Sequence, residues 1–274
     1  MDSDGAGRWP AGSKLVNFVV LGLGFLLSGC AHQSRTGGAL EPAVVAPALP
    51  GDQPSLAFST YAAGSLLIGG WIDTRLGLAK TPTEYRLRQD PDSGKTVLFA
   101  RAARAASGMM HPVKVRLVKN HQITWRWKIS GLIDTADNTS RQHEDSPVRI
   151  VLTFAGDRSD LGFRDQLFFE QAKLLTGHEV PYATLMYIWE NRQPVGTVIQ
   201  NPHTGRVRMI VAESGPRRVG EWLEYTRDIR ADYLKAFGEE PGQLEAVGVL
   251  TDSDNTGATT EAYYGNIRLI ADGR

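Results

Sequence analysis

The sequence predicts an all-β protein, an antiparallel β-sandwich of jelly-roll type with one or two short helices. Three observations favour this fold class. Roughly ten short apolar runs have the length or the alternation of strands, 29 glycines and 14 prolines supply turns, and strands do not alternate with helices as in a parallel α/β fold. A closed barrel is the main structural alternative.

The first 29 residues have the pattern of a lipoprotein signal peptide. Arg8 and Lys14 precede an uncharged run from Leu15 to Leu27, which has the length of a signal-peptide core and is shorter than the roughly 20 residues that span a bilayer. The segment Leu27-Ser28-Gly29-Cys30 resembles the lipobox of bacterial lipoproteins. That resemblance implies cleavage before Cys30 and lipidation of this cysteine, the only one in the chain. An uncleaved anchor or a chance apolar stretch is the alternative.

Lipidation would attach the mature protein to a membrane, because each buried methylene contributes about 0.8 kcal/mol. Ala31, rather than Asp, follows the cysteine, and by resemblance to proteobacterial sorting this implies an outer-membrane lipoprotein that faces the periplasm. The inner membrane and the cell surface remain open. Residues 30–54 are rich in Ala, Gly, Pro and small polar residues and predict a flexible linker after the lipidated cysteine, and residues 55–274 predict one domain.

Alternating apolar and polar residues mark the clearest strand. In Ile123–Ile129 this alternation places Trp125 and Trp127 on one face, where we expect them in the core, and basic residues on the other. The other predicted strands are Tyr85–Leu87, Val97–Ala102, Val113–Val118, Val148–Phe154, Leu185–Trp189, Val207–Ala212, Trp222–Ile229, Leu244–Leu250 and Ala262–Ile270. The predicted helices are Arg164–Leu175 and Ala231–Phe237, the second of which ends at Gly238.

Composition argues against several classes of function. The 30 basic and 30 acidic residues leave no net charge, so we expect no nucleic-acid partner. A single cysteine excludes an intrachain disulfide and a multi-cysteine zinc site. The six histidines have no metal-binding spacing, and the predicted domain contains neither a GxSxG elbow nor a phosphate-binding glycine loop.

The most polar motif is the stretch from Thr251 to Gly257. Asp252, Asp254 and Asn255 are candidate calcium ligands, because hard cations prefer several oxygens that converge on a tight turn. An EF-hand is excluded, since its twelfth position would be Tyr263 instead of Glu. If a structural calcium ion binds here, it should raise the thermal stability. The alternative is a plain Asx turn between two strands.

Aromatic and acidic residues supply candidates for glycan binding. Trp222 and Tyr264 lie on strand faces that look more exposed than that of Trp125 and Trp127, where their rings can stack on a sugar, and burial in the core is the alternative for both. Glu144, Asp145 and Glu213 are candidate carboxylates, which either bind sugar hydroxyls or form the carboxylate pair of a glycosidase. No catalytic residue is assigned.

A series of short motifs follows in order along the chain: Trp125-x-Trp127, Glu144-Asp145, Tyr187-x-Trp189, Asn201-Pro202, Glu213-Ser214-Gly215, Trp222, Arg227-Asp228-Ile229, Asp232-Tyr233, Phe237-Gly238, Thr251 to Gly257 and Tyr263-Tyr264-Gly265. Together they resemble the bacterial envelope family catalogued as domain of unknown function 3047, over about residues 57–270. The resemblance implies a secreted or periplasmic sandwich similar to galactose-binding domains, with no established activity. It also implies an acidic residue after the last motif, where this chain has Asn266.

Three hypotheses for the function follow from these patterns. The leading one is a membrane-tethered, non-enzymatic β-sandwich that binds a glycan or another envelope component, with a structural calcium ion as the one candidate cofactor. The first alternative is an enzyme that acts on envelope polysaccharide through Glu144, Asp145 or Glu213. The second is a structural assembly lipoprotein that binds an envelope protein through a sheet edge or an apolar patch.

Overall fold

Two β-sheets packed face to face dominate the computed structural model of the chain. The structure describes residues 56–67, 69–77, 79–159, 161–176 and 179–271, which belong to one unit within Ala48–Arg274. The predicted signal peptide, Cys30 and the predicted linker lie outside the described residues. None of the described helices is long and apolar enough to cross a membrane.

The described chain starts with a 3-10 turn and continues through thirteen strands and two helices. The 3-10 turn is Phe58–Thr60, and the strands are β1 (Ile72–Arg75), β2 (Glu84–Gln89), β3 (Thr96–Ala103), β4 (Ala106–Val115), β5 (Gln122–Ile129), β6 (Ser146–Phe154), β7 (Ala183–Glu190), β8 (Val198–Gln200), β9 (Val207–Ser214), β10 (Leu223–Asp228), β11 (Leu244–Asp252), β12 (Thr259–Tyr264) and β13 (Arg268–Ile270). The helices are α1 (Phe163–Thr176) and α2 (Ile229–Phe237).

The strands form a seven-stranded and a six-stranded sheet. The seven-stranded sheet has the order β1-β4-β11-β6-β7-β9-β8, and the six-stranded sheet has the order β10-β5-β12-β3-β2, with β13 also paired to β5. The β7–β9 pair is parallel, and the other described pairs are antiparallel. This arrangement confirms the predicted β-sandwich.

The core between the two sheets contains a cluster of aromatic rings. Trp125 and Trp127 on β5 are almost completely buried, as the alternation predicts. The Trp125 ring stacks on Tyr187 from the seven-stranded sheet, with ring centroids 4.7 Å apart, and on Tyr225 of β10 at 5.2 Å. These contacts join the two sheets at their centre, so the rings stabilise the sandwich by burial and by stacking.

Several strand boundaries differ from the predicted ones for local reasons. The predicted strand Ala262–Ile270 is two strands, β12 and β13, which follow one edge of β5 in succession. Gly265 separates them, and a Cβ there would lie 2.3 Å from the Cγ of Arg126, so the backbone can pass only without a side chain. Strand β10 ends at Asp228 because this side chain accepts a hydrogen bond from the Ala231 N–H and caps α2.

Two short edge strands, β1 and β8, escape prediction. They contain four and three residues, too few for alternation to be recognised. Helix α2 ends as predicted, since Gly238 adopts a left-handed conformation with φ of 74° and its N–H donates to the Leu234 carbonyl.

Replacing the central tryptophan tests this description of the core. We expect Trp125→Ala to lower the free energy of unfolding by about 3–5 kcal/mol, because it removes a buried ring and leaves a cavity. Trp222→Ala, which truncates a half-exposed ring, should cost about 1 kcal/mol or less. Urea denaturation of both variants measures the difference, and equal losses would contradict the burial of Trp125.

Candidate functional site

The sequence-predicted candidates fall into different parts of the sandwich. Trp222 is half-buried on the outer side of the six-stranded sheet, whereas Tyr264 is fully buried between the sheets. Glu213 is the next-to-last residue of β9, and its Oε2 accepts a hydrogen bond from the Tyr225 hydroxyl at 2.9 Å. Burial and this hydrogen bond raise the pKa of Tyr225. Glu144 hydrogen-bonds to none of these residues.

The expectation that Tyr264 is exposed is wrong. Its hydroxyl donates to the Leu250 carbonyl at 2.8 Å and accepts from the Arg149 N–H at 3.3 Å. The reason is the register of β12, in which the buried residues Thr260, Ala262 and Tyr264 share the inner face. No sugar can reach the Tyr264 ring. Its neighbour Tyr263 points to the outer face.

The predicted metal ligands lie in an acidic cluster where the loop before β6 meets the loop after β11. Carboxylate oxygens of Asp145, Asp252 and Asp254 lie within 4.8 Å of one another. Asn255 contributes donors: its backbone N–H points to Asp145 Oδ1 at 3.3 Å, and its side-chain amide donates to the Arg141 carbonyl at 3.2 Å. The third residue of the cluster is therefore Asp145 and not the predicted Asn255.

Arg149, which the sequence analysis did not single out, crosses this cluster from β6. Its side chain is 2 % exposed, and Nη2 lies 3.0 Å from each carboxylate oxygen of Asp252. Its Nη1 lies 3.7 Å from Glu144 Oε1, which also accepts from the Asn201 amide at 2.7 Å. A buried arginine needs such partners, because an unpaired charge away from water is strongly destabilising.

The acidic cluster keeps an excess of negative charge. Lys80 pairs with Asp254 at 2.6 Å, so the four carboxylates of Glu144, Asp145, Asp252 and Asp254 face two cations, Lys80 and Arg149. Burial raises the pKa of Asp252 to about 6, against the attraction of Arg149 and with the help of Asp145. Burial also raises the pKa of Glu144. The residual charge has the sign that attracts a divalent cation, and calcium binding stays a prediction.

Asp145 organises the loop that follows β11. Its Oδ2 accepts from the Thr256 N–H at 2.7 Å and from the Thr256 hydroxyl at 2.6 Å, beside the bond from Asn255. These hydrogen bonds fix the polar loop against the end of β6. An Asx-type loop is stabilised by hydrogen bonds of this kind whether or not it binds an ion.

A second group of side chains, of which the sequence analysis singled out only Trp222, crosses the outer face of the six-stranded sheet. We call it the aromatic row, and it consists of Trp222, Lys128, Tyr263, Phe99 and Arg88. The register pairs Tyr263 with Lys128 on one side and with Phe99 on the other. The Lys128 ammonium lies 5.2 Å and 5.1 Å from the ring centroids of Trp222 and Tyr263, and the Arg88 guanidinium lies 3.7 Å above Phe99.

The buried carboxylate of Asp90 holds one end of the aromatic row. Its Oδ1 accepts from the Trp222 indole N–H at 3.2 Å and lies 3.6 Å from the Lys128 ammonium. Although burial opposes ionisation, hydrogen bonds from Ser93 and Trp222 lower the pKa of Asp90. Arg126 adds a guanidinium 4.2 Å from the Trp222 ring centroid. Trp222 is therefore oriented before any ligand arrives.

A polar pocket of about 160 Å³ adjoins the aromatic row at Arg126. A pocket of this volume can take a small polar group such as one sugar ring. Its charged and amide side chains are Lys95, Arg126, Glu224, Asn266 and Arg268. Three cations against one carboxylate make the pocket positive.

Asn266, which stands where the family resemblance implies an acidic residue, contacts Ser59. Its Oδ1 accepts from the Ser59 N–H at 2.9 Å, and its Nδ2 donates to the Ser59 hydroxyl at 2.7 Å. These hydrogen bonds fasten the 3-10 turn to the wall of the polar pocket.

Comparisons with known proteins give a family and a set of similar folds. A family model described as "Protein of unknown function (DUF3047)" matches residues 69–268. No curated protein sequence matches the chain.

Three solved structures illustrate the similar folds. The chain is similar to a family 11 carbohydrate-binding module of the cellulase Lic26A-Cel5E of Clostridium thermocellum, at 7% identity and a TM-score of 0.38, over 76% of this chain and 92% of that chain. It is also similar to TmCBM61, solved in complex with β-1,4-galactotriose. The two are 12% identical with a TM-score of 0.36, and the match covers 80% of this chain and 96% of that chain. The third is an adhesin domain of Lys-gingipain from Porphyromonas gingivalis, which is 9% identical with a TM-score of 0.36. This match covers 79% of this chain and 96% of that chain. These likenesses are of overall fold alone and say nothing about a ligand.

Stability at mildly acidic pH tests the buried carboxyl of Asp252. Its folded-state pKa of about 6 lies above the ordinary 3.8, so the folded protein holds this proton at a pH where the unfolded chain releases it. The resulting stabilisation, on the order of 1–3 kcal/mol, is fully present below about pH 4 and is lost as the pH rises through 6. Urea denaturation should show wild-type protein losing stability relative to Asp252→Asn over this window. If the free energy of unfolding of wild-type protein minus that of Asp252→Asn stayed constant or increased as the pH rises, the raised pKa would be contradicted.

Proposed function

The chain belongs to the DUF3047 family, for which no activity is described, and we propose that it is a non-enzymatic protein that binds a glycan on the outer face of its six-stranded sheet. The observation that carries this proposal is the aromatic row beside the polar pocket. Sugars present apolar C–H faces and polar edges, and this surface offers rings, cations and amides side by side.

The dimensions of the aromatic row suit an extended oligosaccharide. It runs from Trp222, which precedes β10, across β5, β12 and β3 to Arg88 on β2. Neighbouring strands are about 4.8 Å apart, so four steps give roughly 19 Å. Trp222 and Tyr263 are half-exposed and supply the stacking surfaces, while Phe99 lies beneath Arg88. The pocket continues the surface at Arg126.

The charges of this surface favour a glycan with negative groups. Five basic residues, Arg88, Lys95, Arg126, Lys128 and Arg268, belong to the aromatic row or to the adjoining pocket. The acidic residues among them are Asp90, Asp92 and Glu224. The surface therefore has a positive excess that attracts uronate or phosphate groups, and this attraction weakens in salt.

The predicted lipid anchor supplies the second part of the proposal. Lipidated at Cys30, the protein would carry its domain on a linker of about 24 residues, whose root-mean-square reach is roughly 25–30 Å for a flexible chain. We therefore place the binding surface close to a membrane of the cell envelope, with the outer membrane as the expected location.

Glycan binding is tested by titrating the full chain with acidic and neutral envelope oligosaccharides in a calorimeter. Trp222→Ala and Tyr263→Ala should each lower the affinity about tenfold, roughly 1.4 kcal/mol, because each removes one stacking surface. Phe163→Ala is the matched control, since it truncates an aromatic ring that is 78 % exposed on α1. The bound glycan should be recovered with unchanged mass.

Two results would overturn the proposal. One is the absence of binding across acidic and neutral glycans. The other is a bound glycan whose affinity is the same for wild-type protein, Trp222→Ala and Tyr263→Ala. A product of altered mass would instead favour an enzyme.

The anchor is tested by metabolic labelling with an alkyne fatty acid in a bacterial host. Wild-type protein should take up the label and sediment with membranes, whereas Cys30→Ser should do neither, because the chain has no other cysteine. Ser28→Ala, which keeps a small residue before the cleavage position, serves as the control. Equal labelling of wild-type protein and Cys30→Ser would contradict lipidation at this position.

A further inference from the structure

An apolar cavity of about 750 Å³ lies between α1 and the outer face of the seven-stranded sheet. The strands contribute Met110, Val151 and Met186 to its lining, and α1 contributes Phe168 and Phe169. The volume falls within the 300–1,000 Å³ range of sites that enclose a small molecule. The cavity shares no lining residue with the aromatic row or the polar pocket, so it is a separate site.

Most lining residues of this cavity are apolar, and its charged members are Asp73, Arg75, Glu179 and Arg206. Thr153 and Thr184 are cross-strand partners, and both side chains line the cavity. Arg75, also in the lining, is exposed on β1, and within the described ranges no carboxylate pairs with it. The other arginine of the lining, Arg206, pairs with Glu239 at 2.6 Å, so Arg75 is the arginine of the lining that has no carboxylate partner among the described residues. An unpaired cation beside a mainly apolar wall matches a ligand with one anionic end and a long apolar body.

The chemistry of the lining discriminates between classes of occupant. Against the apolar part of the lining, a sugar would find no partners for its hydroxyls and a peptide would find none for its backbone N–H and C=O groups, and each such group loses its hydrogen bond to water at a cost. A hydrocarbon chain has no polar group to satisfy. The unbranched side chains of Met110 and Met186 can adjust to its shape.

The size of the cavity suits one hydrocarbon chain. If each methylene takes about the 30 Å³ that a water molecule occupies in the liquid, sixteen carbons need roughly 480 Å³, which the cavity of about 750 Å³ can hold. We propose that this cavity binds one long-chain fatty acid, with its hydrocarbon chain between α1 and the sheet and its carboxylate paired with Arg75.

Helix α1 provides a way in. Phe169 is the one buried side chain among its described residues Phe163 to Leu174, so one ring makes the buried apolar contact of this stretch. At the start of the helix, Asp165 accepts hydrogen bonds from the Thr204 hydroxyl at 2.8 Å and the Gly205 N–H at 3.2 Å. On the opposite side Phe163 and Leu174 are 78 % and 82 % exposed. These two residues lie on one helical face and Phe168 on another, so α1 presents apolar side chains to the cavity and to its surroundings.

The experiment measures binding of radiolabelled palmitate to the purified full chain, freed of detergent, by equilibrium dialysis. We expect saturable binding of one palmitate per chain. Met186→Trp should lower the affinity at least tenfold by filling the cavity, and Met186→Leu should change it less than twofold. Ile270→Trp, at an exposed position of β13, is the control for an added indole. Arg75→Ala should weaken palmitate several-fold and leave 1-hexadecanol unchanged.

A photoreactive diazirine fatty acid keeps the test valid if Met186→Trp does not fold. On wild-type protein it should label peptides from α1, β6 and β7, and unlabelled palmitate should prevent this labelling. Labelling confined to other peptides, non-saturable binding, or equal affinity in a folded Met186→Trp would overturn the proposal. Trp222→Ala should bind palmitate like wild-type protein, so the failure of glycan binding and the failure of fatty-acid binding can be told apart.

Discussion

The alternation of side chains along β5 determines both faces of the six-stranded sheet. Trp125 and Trp127 point inward and meet aromatic rings of both sheets, whereas Arg126 and Lys128 point outward and reach Trp222. A shift of one residue would place cations in the core and tryptophans in water. The stability of the sandwich and the composition of its outer surface therefore depend on one strand register.

The acidic cluster around Arg149 shows that several residues carrying the family resemblance serve the fold, whereas Trp222 and Tyr263, which carry it too, lie in the aromatic row. Asp145, Asp252 and Tyr264 belong to the resembling motifs, and all three are buried with hydrogen bonds to loop or strand atoms. Arg149 balances part of the buried negative charge and joins β6 to β11. These residues explain how the loops close one end of the sandwich, and the aromatic row lies on the outer face of the six-stranded sheet.

The sequence could predict what depends on local pattern. Alternation was sufficient for the β-sandwich, for most strands and for the burial of Trp125, since each follows from a two-residue period. Tyr264 shows the limit of this approach, because a Tyr-Tyr pair must expose one ring and bury the other, and only the register of β12 decides which. The aromatic row could not be predicted, because Trp222, Lys128, Tyr263 and Phe99 come from distant segments that meet only after the strands pair.

The indole N–H resonance of Trp222 tests the central claim most directly. Among the tryptophans of the described domain, Trp125, Trp127 and Trp189 are almost completely buried, whereas Trp222 is half-exposed and bonded to Asp90. In a ¹⁵N-correlated NMR titration with an acidic envelope oligosaccharide, we predict that the Trp222 indole signal shifts in proportion to the fraction bound and that the three buried indole signals stay in place. Saturable binding with an unmoved Trp222 signal would contradict a glycan site on the aromatic row.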